Sequence, residues 1–189
     1  MKMFLKLPLS GLLIFLSLHL HAADFTISKS KNDAPDLITL EGEIFDGDEF
    51  KFRKISAESD NAIISLNSPG GDFYPALKIG KLIRAMSYST RVDNNSECNS
   101  SCSTIWLAGQ YKYLAKDSRV GFHEHFDSKP SEHSGNKIKL TYGLLGAYYQ
   151  SIGLSDGVIL YLLDFSEKPK KWLTIGNAEV YGVAVIEAK

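Results

Sequence analysis

The segment Asn67-Ser68-Pro69-Gly70-Gly71 lies between a short apolar stretch and a longer amphipathic one, and it constrains the fold more than any other feature. Residues 62–66 have the composition of a buried strand, and residues 73–86 carry apolar side chains at helical spacing. The glycine pair therefore lies where a strand passes into a helix. Such a loop can direct main-chain N–H groups at a developing negative charge. A tight turn without further function is the alternative.

Strand and helix patterns alternate along the whole chain, and a polar, loop-like stretch covers residues 127–137. This alternation predicts an α/β fold with a mainly parallel sheet and surrounding helices. The predicted strands are 24–28, 37–44, 62–66, 90–92, 111–115, 119–123, 172–174 and 183–186, and the predicted helices are 47–57, 73–86, 103–109, 139–151, 154–163 and 177–182.

Ser100 and His123 are the candidate nucleophile and base. Ser100 precedes the compact apolar helix 103–109, so its hydroxyl is expected in the turn that opens this helix, close to free N–H groups. His123 ends the strand 119–123. Each residue also has a structural alternative: Ser100 as a helix N-cap, and His123 as a strand-end histidine bonded to a backbone carbonyl.

Three motifs in this order carry a family resemblance. Leu66–Gly71, the small-residue helix that runs from Ser100 to Gly109, and Ser118–His123 resemble the proteolytic subunit of Clp protease, a member of the ClpP/crotonase fold. The chain is most similar to the secreted, periplasmic Clp-protease-like proteins of bacteria, from about residue 37 to about residue 185. The resemblance implies that Ser100 is the nucleophile, His123 the general base, and the amides of Gly70 and Ser101 the oxyanion donors, with Gly71 completing the loop.

The resemblance also implies an aspartate as the third member of a triad, but the matching position holds Lys170. Lysine cannot orient and stabilise an imidazolium, and losing the triad carboxylate can cost about 10⁴ in turnover. Asp164 or Glu167 could replace it if the loop between them follows another course. The chain is therefore expected to use a Ser–His dyad, to use a displaced acid, or to be inactive.

Cys98 and Cys102 bracket Ser100 and are the only cysteines in the chain. A disulfide is predicted, because a separation of four residues can bring two Cα atoms within the 4.4–6.8 Å that a bridge accepts. A cysteine hydrolase is one alternative. A metal site formed by His123, His125 and the two thiols is the other, and an oxidising compartment disfavours it.

The N-terminal residues predict export. Lys2 and Lys6 precede an apolar stretch at 9–20, and small residues offer a cleavage site after Ala22 or Ala23. Residues 1–22 are thus a predicted signal peptide, and 23–189 a single domain in the periplasm or outside the cell. Loss of Lys2 and Lys6 takes the formal net charge from −1 to −3, which gives no argument for nucleic-acid binding.

Together these patterns predict a secreted serine hydrolase, most simply a peptidase acting on a peptide or protein without metal or cofactor. In the Clp relatives the region of the helices 139–163 contacts neighbouring subunits, so the resemblance suggests a homo-oligomer. An ATP-dependent unfoldase is not expected outside the cytoplasm. The alternatives are a catalytically inactive binding or assembly module, and an acyl-CoA enzyme of the crotonase type, which export disfavours.

Overall fold

Two β-sheets form the centre of the protein. The computed structural model describes residues 22–124, 134–166 and 169–188. The larger sheet has the order β1 (Asp24–Ser28), β2 (Asp36–Glu41), β3 (Ala62–Asn67), β4 (Ser89–Val92), β6 (Lys112–Ala115) and β9 (Ile186–Ala188). The smaller one has the order β5 (Glu97–Asn99), β7 (Arg119–His123) and β8 (Lys170–Leu173).

Most strand pairs are parallel, as the alternating pattern predicts. Strands β2, β3, β4, β6 and β9 pair in parallel along the larger sheet, and β5 pairs in parallel with β7. The antiparallel pairs are β1 with β2 and β7 with β8. The expected mixed α/β architecture is therefore present, with antiparallel strands at one edge of each sheet.

Five α-helices and one 3-10 helix lie in the described ranges: α1 (Asp48–Ser56), α2 (Phe73–Ala85), α3 (Ser101–Leu107), α4 (Ser134–Ser151), α5 (Asp156–Leu163) and the 3-10 helix Ala178–Tyr181. Leu40, Ile64 and Leu66 of the sheet are fully buried, as are Ile79 of α2 and Trp106 of α3. Burying such side chains supplies the main driving force for folding. The result is a core between the larger sheet and the helices α2 and α3.

Helix α4 is fixed to α3 by a buried hydrogen bond. The hydroxyl of Tyr148 donates to the carbonyl of Thr104 over 2.9 Å, and burial raises the pKa of Tyr148. Gly80 of α2 leaves room for this ring, since a Cβ there would lie 2.0 Å from the Tyr148 hydroxyl. The contact places α4 beside the turn that carries Ser100.

Several element boundaries differ from those predicted. The strand β2 ends at Glu41 and not at residue 44, because Gly42 has a φ of 101° that ends the extended backbone. Strand β5 was not predicted at all, and the last strand lies at Ile186–Ala188 instead of 183–186. Residues 127–133 of the predicted loop lie outside the described ranges, whereas residues 134–137 belong to α4.

Within the described ranges, no helix is both long and apolar enough to cross a bilayer.

We expect Asp36 to make the protein more stable above about pH 4 than in acid. The Ser59 hydroxyl, the Ser30 N–H and the Lys29 ammonium bind its carboxylate at 2.6, 2.8 and 3.0 Å, and these contacts lower the pKa of Asp36 to about 2. Because the folded state favours the ionised form, the stabilisation is present above the unfolded pKa of 3.8 and is lost as the pH falls through about 2.

Urea unfolding of Asp36→Asn and wild type measures this effect. The difference in unfolding free energy should be largest at neutral pH and should shrink between pH 4 and pH 2. Asp33→Asn is the control, because residue 33 is exposed and asparagine tolerates its left-handed backbone. A difference of the same size at pH 7 and pH 2 would contradict the prediction.

Candidate active site

Ser68 joins the glycine loop to the turn that carries Ser100. Its N–H donates to Glu97 O over 2.8 Å, and its carbonyl accepts from Asn99 N over 3.0 Å. Ser100 N–H in turn donates to Gly121 O of β7 over 3.0 Å. Three stretches of chain that are distant in sequence therefore meet at fixed main-chain positions.

Gly70 and Gly71 are required by both backbone conformation and space. Their φ angles are 99° and 136°. A Cβ on Gly70 would lie 2.6 Å from Asn99 O and from Ser100 Cβ, and one on Gly71 would lie 2.1 Å from Ile44 O. The loop thus packs directly against the Ser100 turn, which only residues without side chains permit.

The main-chain donors around Ser100 are not equivalent. Gly70 N–H donates to Ser68 Oγ over 3.1 Å, so this predicted oxyanion donor is already engaged. Ile44 N–H donates to Gly70 O, and Asp72 N–H donates to Ile44 O. No acceptor for the Gly71 N–H is found among the described residues. Ser101 is the first residue of α3, where N–H groups have no partner within the helix. Gly71 and Ser101 are therefore the two candidate donors whose N–H groups have no acceptor among the described residues.

Ser100 occupies a backbone conformation that residues with side chains rarely adopt. Its φ and ψ are 55° and −128°. Residues held in such regions cost of order 1–3 kcal/mol and are concentrated at functional sites. The Ser100 side chain makes no capping hydrogen bond to α3. The alternative in which this serine is only an N-cap is therefore not what the structure shows.

His123 lies at the end of β7 and is held through one ring nitrogen. Its Nδ1 lies 2.6 Å from the main-chain carbonyl of Glu124. A carbonyl only accepts, so this contact places the proton on Nδ1 in neutral imidazole and leaves Nε2 as the basic nitrogen.

Ser100 and His123 line the same small cavity, which has a volume of about 10 Å³. Helices α4 and α5 contribute apolar side chains to its lining. A cavity of this size holds about one water molecule. The remaining lining residues are Ser103, Thr104, Phe122, Leu145, Tyr149, Leu162, Leu163 and Phe165.

Neither Lys170 nor Asp164 is seen to serve as a triad acid. Lys170 stands directly opposite His123 in the β7–β8 pair, and its Nζ lies 4.2 Å from the centre of the Trp172 ring. Asp164 is exposed; the Ser166 side chain and the Ser166 N–H, at 2.9 Å, lower the pKa of its carboxyl group. Glu167 lies outside the described residues. The Nδ1 position of a triad acid is taken by the Glu124 carbonyl.

A disulfide joins Cys98 of β5 to Cys102 of α3, with Cα atoms 5.2 Å apart. Both residues are fully buried. In this state neither sulfur can act as a nucleophile or as a thiolate ligand of a metal. His125 of the alternative metal site lies outside the described residues, and within them no group of three or more metal-ligating side chains is found.

Known structures share this architecture. The protein is similar to a variant of ClpP1 from Listeria monocytogenes, with a TM-score of 0.61, 20% sequence identity, and coverage of 81% of this chain and 92% of that chain. It is also similar to an alanine variant of the membrane-bound stomatin-specific protease 1510-N, with a TM-score of 0.60, 16% identity, and coverage of 79% and 77%. The chain has a ClpP-like fold.

The sequence itself matches no family model and no curated protein. At 16–20% identity, the two structural likenesses show a ClpP-like fold alone, and the chemistry has to be argued from the site. Of that site, sequence reasoning missed Ser68 and the Glu124 carbonyl. Ser68 was visible as part of the glycine motif, whereas a contact to a main-chain carbonyl leaves no signal in the sequence.

Removing the disulfide should destabilise this ClpP-like domain. The bridge closes a short loop, for which chain-entropy arguments give about 2 kcal/mol, or a melting temperature lower by roughly 4–8 °C. Calorimetry of the Cys98→Ala/Cys102→Ala double variant measures the loss. Cys98→Ala alone is the matched variant and should lose at least as much. A double variant that melts with the wild type would show that the bridge does not brace the turn.

Proposed function

We propose that this protein is a secreted serine hydrolase, a peptidase that acts by Ser–His acyl transfer with a main-chain oxyanion hole. The observation that carries the proposal is Ser100, a non-glycine residue at φ 55° whose hydroxyl does not cap its helix and which shares a cavity with His123. A strained turn that presents a hydroxyl beside a histidine suits nucleophilic catalysis.

The proposed steps use Ser100, His123 and the main-chain N–H groups near them. His123 accepts the Ser100 proton at Nε2 while Nδ1–H stays on the Glu124 carbonyl. Ser100 Oγ attacks the amide carbonyl, and the N–H groups of Gly71 and Ser101 bind the resulting oxyanion. His123 then gives the proton to the leaving amine. Water then attacks the acyl enzyme with His123 again acting as the base, and the acyl group leaves Ser100 as a carboxylic acid.

A dyad of this kind should be slow. A carbonyl can orient the imidazole, but it carries no charge with which to stabilise the imidazolium that forms during the reaction. Replacing a triad aspartate can cost about 10⁴ in turnover, so turnover well below that of full triads is expected.

Peptides are the favoured substrates, because both similar structures are named as ClpP or as a protease. We expect residues 1–22 to direct export and the remaining residues to form one domain. Neither nucleic acid nor an unfoldase is expected as a partner. A homo-oligomer is supported by exposed apolar side chains on α4 and α5, namely Leu140, Leu144, Leu160 and Tyr161.

An inactive binding or assembly module is the second candidate. Lys170 opposite His123 and the small volume of the cavity, about 10 Å³, favour it, because neither assists turnover. The two candidates differ in whether Ser100 reacts.

A fluorophosphonate probe should label the wild type and should not label Ser100→Ala. Ser96→Ala, in the turn before β5, is the matched control and should keep full labelling. His123→Gln should label at least 100-fold more slowly, because general-base assistance contributes about 10²–10⁴. Labelling rates from gel fluorescence give these ratios. Equal labelling of wild type and Ser100→Ala, or of neither, would favour the inactive module.

A further inference from the structure

A second cavity, of about 420 Å³, opens beside β8 and is large enough for a side chain or a chain end. It lies between the end of α5, strand β8 and the 3-10 helix. The cavity beside Ser100 has only about 10 Å³, so this neighbouring cavity offers far more room for a substrate group. Its lining includes Tyr161, Asp164, Lys170, Lys171, Trp172 and Tyr181.

The charges in this cavity favour an anion. Two lysines, Lys170 and Lys171, face one carboxylate, that of Asp164. Asp164 accepts the Ser166 N–H over 2.9 Å. Lys171 donates to the Tyr161 carbonyl. Lys170 forms no salt bridge with any residue that the structure describes. One positive charge in the cavity is therefore not balanced by a described side chain.

Aromatic rings hold the two ammonium groups in place. Lys170 Nζ lies 4.2 Å from the centre of the Trp172 ring, and Lys171 Nζ lies 4.4 Å from that of Tyr161. Cation–π contacts of this length reduce the freedom of otherwise mobile side chains. Tyr161 and Tyr181 form an edge-to-face pair with centroids 5.2 Å apart. The cavity thus combines apolar walls with positioned positive charge, which suits a carboxylate on a hydrocarbon stem.

The cavity is close to the candidate catalytic residues. Lys170 pairs with His123 across β7 and β8, and adjacent strands lie about 4.8 Å apart. An extended peptide advances about 3.3–3.6 Å per residue. A group bound by Lys170 therefore belongs to a residue within about two positions of the bond at Ser100.

We propose that this cavity is a carboxylate subsite, in which Lys170 binds a carboxylate of the peptide substrate within about two residues of the scissile bond. The proposal rests on the peptidase function. The carboxylate comes either from an acidic side chain or from the free C-terminus of the peptide. In both cases the place that holds an acid in the Clp relatives has become part of substrate recognition.

Peptide binding to the Ser100→Ala variant tests this without catalysis. The probes are three fluorescein-labelled hexapeptides: one with a single glutamate and a blocked C-terminus, its glutamine twin, and the glutamine peptide with a free C-terminus. At low salt, anisotropy should show at least one carboxylate peptide binding about threefold to fivefold more tightly than the blocked glutamine peptide, as for a partly exposed ion pair. The preference should fall at 0.5 M salt.

Added substitutions assign the preference to the cavity. Lys170→Gln in the Ser100→Ala background should bring the affinity ratio close to one and leave the glutamine peptide unchanged. Lys81→Gln on α2, an exposed lysine outside the lining of this cavity, is the matched control and should keep the preference. A preference for the glutamate peptide identifies a side chain as the source, and one confined to the free C-terminus identifies the chain end.

Three results would overturn the subsite: equal binding of all three peptides, a preference that survives Lys170→Gln, or no binding of any peptide at millimolar concentration. Failure of the peptidase proposal looks different. In that case the wild type would cleave no peptide, while the preference of the Ser100→Ala variant would still be present. Cleavage by the wild type without any preference would refute the subsite alone.

Discussion

The two main-chain hydrogen bonds of Ser68 hold the candidate site together. They join the glycine loop after β3 to both ends of β5. The Ser100 N–H joins the turn after β5 to strand β7. Each bond contributes only about 1 kcal/mol, but an unpaired buried donor or acceptor would cost more. The position of Ser100 is therefore determined by the backbone and depends little on side-chain rotamers.

These main-chain hydrogen bonds hold Ser100 in a strained conformation within a rigid turn. The unusual φ of Ser100 persists because the disulfide spans it, the glycine loop packs against it, and Ser103 donates to its carbonyl from both N–H and Oγ. The same arrangement sets limits on the chemistry. Nδ1 of His123 lies against the neutral carbonyl of Glu124, and Lys170 pairs with His123 across the two strands. A slow hydrolase that binds a carboxylate of its substrate is consistent with both features.

Much of this could be predicted from the sequence, because the relevant signals are local. Apolar spacing gave β7 its observed bounds, and α1, β3 and α2 lie within about a residue of those predicted. Strand β5 has only three residues, too few for a period-two pattern, so its existence depends on pairing with β7. That the Gly70 N–H is engaged depends on the position of the Ser68 hydroxyl. The Glu124 carbonyl contact has no signal in any side chain.

A crystal structure of the protein after reaction with a phosphonate inhibitor tests the central claim most directly. We expect phosphorus bonded to Ser100 Oγ, the phosphoryl oxygen about 2.7–3.1 Å from the N atoms of Gly71 and Ser101, and His123 Nε2 facing the adduct. An adduct on another residue would contradict the account. So would a phosphoryl oxygen that points to solvent away from both amides.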